Sequence, residues 1–163
     1  MILQEIHELR KLEGDFALTI GTFDGVHLGH QKILDTLKQE ARKSNLKTLV
    51  VTFTNNPKEV ITGEKVIPVI TAQEKLERIL EYGIDVVIGL PFTEEIRKQT
   101  KGEFLQFLGV SIKKMIVGYD FNFGYKISTV KVPEDLITIK VSALKLNGDI
   151  VSSTRIREFM TQG

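Results

Sequence analysis

His27 and His30 lie three residues apart in "IGTFDGVHLGHQKIL" (Ile20 to Leu34), where Gly21, Gly25 and Gly29 recur at intervals of four. Three residues apart at a helix start, two imidazoles can point to the same side. An imidazole donates hydrogen bonds to phosphoryl oxygens, more strongly when protonated. A helix start adds unpaired backbone N–H groups and the positive end of the helix dipole. Glycine lets the backbone approach an anion closely. Phosphate binding is therefore the chemistry that these residue types suit. The glycine spacing is not G-x-G-x-x-G, and no G-K-[ST] follows, so the two commonest nucleotide loops are excluded. Zinc is poorly served, because two histidines lack further ligands and the chain has no cysteine. The plainer alternative is a glycine-rich turn carrying two incidental histidines.

Three further polar clusters follow apolar runs. "SSTRIR" places Ser152, Ser153 and Thr154 where they can cap a helix. Capping alone leaves Arg155 and Arg157 unexplained at a helix end that disfavours cations. Hydroxyls, N-terminal amides and guanidinium groups together suit a polyphosphate. "YDFNFG" brackets Asn122 with Phe121 and Phe123. These aromatics serve either as core or as a wall for a flat ring, with Asp120 or Asn122 adding polar contacts. "TNNPKEV", taken alone, reads as a turn.

The elements around these clusters alternate. "FALTIG" (Phe16 to Gly21) is a short apolar run ending in glycine and reads as a strand. Ile33, Leu34, Leu37 and Ala41 then fall at helical spacing, opposite a charged face. "KTLVVTF", "IDVVIGL", "KKMIVG" and "DLITIKV" supply four more strands. Thr71 with Glu74, and Thr100 with Glu103, carry the capping-box spacing ahead of two more helices. A last helix is expected after Ser152. Near-continuous apolar strands alternating with helices mark a parallel sheet covered on both faces. Such sheets bind ligands beyond the carboxyl ends of the strands, where strand order reverses. With 163 residues and no linker or repeat, the chain (1–163) reads as one α/β domain.

Composition narrows the function. A net charge of +1 gives no broad basic field for nucleic acid. No apolar run approaches the roughly 20 residues of a membrane span. "MILQEIHELRKLEGDF" lacks the apolar stretch of a signal peptide. The absence of cysteine fits a reducing compartment. The expectation is a soluble, cytoplasmic protein whose anion site is local.

Three of these stretches, in this order, resemble a known family. "GTFDGVHLGHQ" resembles the G-x-F-D-G-V-H-x-G-H signature of the bacterial riboflavin kinase/FMN adenylyltransferases. "VGYDFNFG" and "VSSTRIRE" resemble that family's V-G-x-D-F-x-F-G and [IV]-S-S-T-x-I-R segments. The resemblance implies the Rossmann-like nucleotidylyltransferase fold and the reaction of FMN with ATP to give FAD and pyrophosphate, with magnesium. It implies that His27, His30 and Arg157 act in catalysis. Gly21, Phe23, Asp24, Gly29, Ser152, Ser153 and Thr154 would line the ATP site. Asn55, Pro57, Asp120, Phe121, Asn122, Phe123 and Gly124 would line the flavin site, and no side-chain metal ligands are assigned. Two-domain members continue into a riboflavin kinase domain, so kinase activity is not expected within 1–163. Where the family has P-H-P, this chain has Asn55-Asn56-Pro57, an amide in place of a ring donor. The stretch after "DFNFG" is shorter than usual. Two rival readings are a nucleotidylyltransferase with another acceptor and a flavin- or nucleotide-binding module without turnover.

Overall fold

The computed structural model describes residues 1–119, 121, 123 and 129–143, with the backbone of Lys145–Leu146 and Asp149–Ile150. Its elements run β1 (Ile2–Leu3), α1 (Ile6–Leu9), β2 (Asp15–Ile20), α2 (Leu28–Lys43), β3 (Lys47–Phe53), α3 (Pro57–Thr62), α4 (Ala72–Glu81) and β4 (Val86–Leu90). They continue with α5 (Glu94–Lys98), α6 (Lys101–Leu108), β5 (Ser111–Gly118), β6 (Ile137–Val141), β7 (Lys145–Leu146) and β8 (Asp149–Ile150). The last two form a small antiparallel pair.

The central strands are apolar on both sides, and each side is covered. Every residue of β4 is buried, as is every residue of β2 and β3 after the first. A strand buried on both faces belongs in a parallel sheet, and all pairings among β1 to β6 are parallel. On one face, Phe16, Leu18 and Ile20 of β2 pack with Phe104 and Leu108 of α6 and Leu9 of α1. On the other, Ala17 packs with Leu34 and Leu37 of α2 and with Leu76 and Ile79 of α4. The expected Rossmann-like arrangement, with helices on both faces, is what the chain adopts.

Strand order is β1-β4-β3-β2-β5-β6. From β2 the chain steps outward through β3 to β4, then crosses back to place β5 on the other side of β2. Strand order therefore reverses between β2 and β5, and the crevice beyond their carboxyl ends is the ligand position of this sheet class.

The first residues, which carry no strand pattern of their own, complete the sheet. Ile2 and Leu3 align with Val87 and Ile88 of β4. Arg10 ties the segment to α6 through the Phe107 carbonyl, at 2.7 Å from one terminal guanidinium nitrogen. "TNNPKEV" is not a simple turn. It opens α3: Asn56 is the N-cap and accepts from the Lys58 N–H at 3.0 Å, and Pro57 follows in the first turn. Asparagine before proline is a helix-start pairing as well as a turn pairing, because proline lacks only an N–H that the helix would leave unpaired. The helix expected after Ser152 lies outside the described residues.

Candidate active site

The turn after β2 is built from unusual backbone. Phe23 and Val26 have φ of 50° and 45°, and Gly25 has φ of 82°. A left-handed conformation at a β-branched valine is strained and persists only where its surroundings enforce it. Here they do. The Val26 N–H donates to the Phe23 carbonyl at 3.0 Å, and the Gln31 side chain donates to the Val26 carbonyl at 3.1 Å. The turn delivers His27 as the N-cap of α2, three residues ahead of His30.

The two histidines cap each other. The His30 N–H donates to His27 Nδ1 at 3.3 Å, and the His27 N–H donates to His30 Nδ1 at 3.2 Å. Their rings stack with centroids 3.5 Å apart. A backbone N–H can only donate, so each Nδ1 must present its lone pair and each proton sits on Nε2. Burial pushes the His30 imidazole down to about 2, with the adjacent His27 and the Lys75 ammonium adding to it. Burial also lowers His27, against its own backbone hydrogen bond and Asp24, which raise it. The pair is thus neutral, with each ring's proton on Nε2 and the two rings stacked at the helix N-terminus. The two rings share one side of the helix start, as their spacing allows, and they are neutral donors rather than the stronger protonated ones.

Lys75 holds this corner together, and sequence reasoning missed it because it sits among the residues of an amphipathic helix. It is 6% exposed. Its Nζ donates to the Thr22 carbonyl at 2.8 Å and to the Phe53 carbonyl at 2.5 Å, joining the turn to the end of β3. Thr52 donates to the same Thr22 carbonyl at 2.9 Å. Burial pulls Lys75 down to about 8, opposed by the Asp24 carboxylate. The signal available in the sequence was a lysine immediately before Leu76 on the buried side of α4. Asp24, expected at ATP, is itself buried and accepts from the Val69 N–H at 3.0 Å, so it braces the turn.

Beside the histidines opens a cavity of about 540 Å³. It is within the size range of small-molecule sites. Gly21, Phe23 and His30 form its side towards α2, and Gly118 closes it at the end of β5. Phe23 stands edge-on to His30, with centroids 5.3 Å apart. A Cβ at Gly21 would meet the Phe23 ring at 3.0 Å, so glycine here lets that ring reach the histidine. Aromatic pairs line the remainder. Phe53 and Phe92 meet at 5.1 Å, and Phe121 and Phe123 meet at 5.1 Å, both edge-to-face. Pro57 and Ile61 present α3 to the same space.

Asn55, expected at the flavin, bonds to the chain itself. Its Oδ1 accepts from the Phe92 N–H at 2.7 Å, and its Nδ2 donates to the Phe92 carbonyl at 3.1 Å. Both ends of the amide are engaged by one backbone unit 37 residues away. Asn55 therefore positions Phe92, and lines a smaller cavity of about 210 Å³ behind it rather than the main one.

Of the residues singled out from sequence, Gly21, Phe23, His30, Pro57, Phe121 and Phe123 line the main cavity, with His27 stacked on His30 at its rim. Gly29 lies in the first turn of α2. Asp120, Asn122, Gly124, Ser152, Ser153, Thr154 and Arg157 lie outside the described residues. Among the described residues there is no group of three or more His, Cys, Asp or Glu side chains able to hold a metal ion.

A parallel sheet with a helix N-terminus and a ring-sized cavity at its switch point defines a Rossmann-like fold of the nucleotidylyltransferase type. The profile of the FAD synthetase family matches residues 9–155, and the chain belongs to that family. The bifunctional riboflavin kinase/FMN adenylyltransferase of Buchnera aphidicola subsp. Schizaphis graminum is 32% identical over 99% of this chain and 55% of its own length. The Escherichia coli K12 protein of the same name is 36% identical over 76% of this chain and 41% of its own. The chain thus spans about half the length of the curated relatives it matches. Among solved structures, one described as a macrolide-efflux protein from Streptococcus pneumoniae superimposes with a TM-score of 0.76 at 25% identity. That match covers 97% of this chain and 54% of the other. A pantothenate synthetase from Thermus thermophilus superimposes with a TM-score of 0.62 at 15% identity, over 99% of this chain and 70% of the other, a likeness of fold alone.

Proposed function

We propose that this chain transfers the adenylyl group of ATP to FMN, forming FAD and pyrophosphate. The observation that carries this reading is the juxtaposition of two stacked histidines, each with its Nδ1 occupied by a backbone N–H, at a helix N-terminus beside an aromatic cavity of about 540 Å³ that His30 lines. A phosphate oxygen of FMN forms a bond to the α-phosphorus of ATP, the bond from that phosphorus to the bridging oxygen breaks, and pyrophosphate departs with the electron pair. Such a transfer requires alignment and charge stabilisation more than covalent help. His27 and His30 donate to the oxygens that gain charge, with the first-turn amides of α2, including that of Gly29, beside them. A neutral donor avoids the cost of moving a proton before reaction. Phe53, Phe92, Phe121 and Phe123 enclose the flat ring. Ser152, Ser153, Thr154 and Arg157 are the residues assigned to the departing phosphates.

Magnesium enters this reading with the nucleotide. Mg²⁺ is commonly carried by substrate phosphates and water rather than by a protein cage, and the described residues offer no cage. A cysteine-free, ATP-using chain of this kind fits the cytoplasm, and no described helix is long and apolar enough to cross a membrane. Mixing the pure protein with FMN and Mg-ATP tests the proposal: FAD and pyrophosphate form in equal amounts. FMN bound without FAD formed would support a binding module, and an adenylylated product only from another acceptor would support the rival transferase.

A further inference from the structure

Gln99 joins α5 to α6 and is among the residues that line the cavity. Its Oε1 is buried and has no hydrogen-bond partner among the described residues. A buried amide oxygen without a partner is unfavourable, and native structures seldom keep one without a reason. The same cavity is lined by apolar Phe92, Ile96 and Phe104, and by Arg97, whose guanidinium donates to Glu94 at 3.1 Å rather than to Gln99. His30 reaches the cavity from α2, on one face of the sheet, whereas α6 packs on the opposite face. A ligand with its phosphate at the histidines therefore runs across the strand ends towards Gln99.

From this placement we propose that Gln99 is a specificity-determining residue that reads the pyrimidine edge of the flavin ring. This rests on the flavin reading above. That edge carries one N–H, at N3, flanked by two carbonyl oxygens. A primary amide matches it: Oε1 accepts from N3–H while Nε2 donates to a neighbouring carbonyl. Rotation about the last side-chain torsions, which are soft, turns the orphaned oxygen towards the ring. The free protein bears an unsatisfied acceptor, and the correct ring relieves it. A flat aromatic ligand without that donor does not.

FMN and N3-methyl-FMN, titrated by flavin fluorescence against wild type, Gln99→Leu and Gln99→Met, test this. Wild type binds FMN about tenfold more tightly than the N3-methyl form, a hydrogen bond's worth of discrimination. Both variants bind the two ligands alike, hold FMN about tenfold more weakly than wild type, and melt no lower, because an orphaned acceptor has been removed. Variants that keep the wild-type preference for FMN overturn the proposal while leaving the flavin reading intact. Equal losses for both ligands with a lowered melting temperature mean a structural role and also overturn it. If wild type binds no FMN, the flavin reading fails and this proposal fails with it.

Discussion

Truncating Asn55 separates two accounts of the same position. If Asn55 touches ligand, Asn55→Ala weakens flavin binding and leaves the fold as stable as before. If it acts through Phe92, stability falls first. The structure supports the second, since Oδ1 and Nδ2 bond the Phe92 N–H and carbonyl at 2.7 and 3.1 Å. Each such bond contributes about 0.5–1.5 kcal/mol net, and truncation also leaves a partly buried N–H and C=O to find water. The expected loss is about 2 kcal/mol. For a chain of 163 residues, that lowers the melting temperature by about 4–8 °C. In urea the midpoint falls with an unchanged slope, because the surface exposed on unfolding is the same. Flavin affinity then drops as Phe92 leaves its edge-to-face contact with Phe53. Asn55→Asp is the control. It keeps an acceptor for the Phe92 N–H but sets a carboxylate oxygen against the Phe92 carbonyl, so it is destabilising too. An unchanged urea midpoint in Asn55→Ala, together with weakened FMN binding, would refute this reasoning.

Acid should unfold the protein partly through His30. Its folded-state value of about 2 lies below the ordinary 6.5. The unfolded chain therefore binds the extra proton between those values, and stability is full above pH 6.5 and falls as pH drops. From pH 7 to 4.5 the loss from this group is about 2–3 kcal/mol by that linkage; His30→Asn, which can keep an acceptor for the His27 N–H, shows a correspondingly shallower pH dependence in urea melts. Lys75→Met removes both bonds to the Thr22 and Phe53 carbonyls but also an ammonium whose burial already disfavours its charge. Its stability therefore changes by only about 1–2 kcal/mol, while turnover falls about tenfold or more as the histidine turn loosens, which steady-state rates check.

The sheet was legible because its strands are runs such as "KTLVVTF" and "IDVVIGL", apolar on both sides, where burial alone dictates the pattern. Helix starts at Thr71 and Thr100 were legible because capping is local; both threonines accept from the N–H three residues on, at 3.1 and 3.2 Å. The pairing of His27 with His30 was legible for the same reason, but its protonation was not, since that depends on burial and on Lys75 from another helix. β1 escaped notice because a two-residue strand has no period; only β4 defines it. The bond between Asn55 and Phe92 was not legible because the two lie 37 residues apart, and nothing local indicates that an amide will close on a distant peptide unit. Gln99 carried no motif. Its significance arises from an unsatisfied oxygen in the cavity wall, which is a property of the folded surroundings.

The central claim is adenylyl transfer at the histidine corner, and isotopic label follows it directly. With ATP labelled at the α-phosphorus, FMN and magnesium, the label should appear in FAD. Label at the γ-phosphorus should appear in pyrophosphate. His30→Ala should lower the rate of both by about 10²–10³ while the protein stays folded. Alpha label that never enters a flavin product, or a His30→Ala protein that labels FAD at the wild-type rate, would contradict the account.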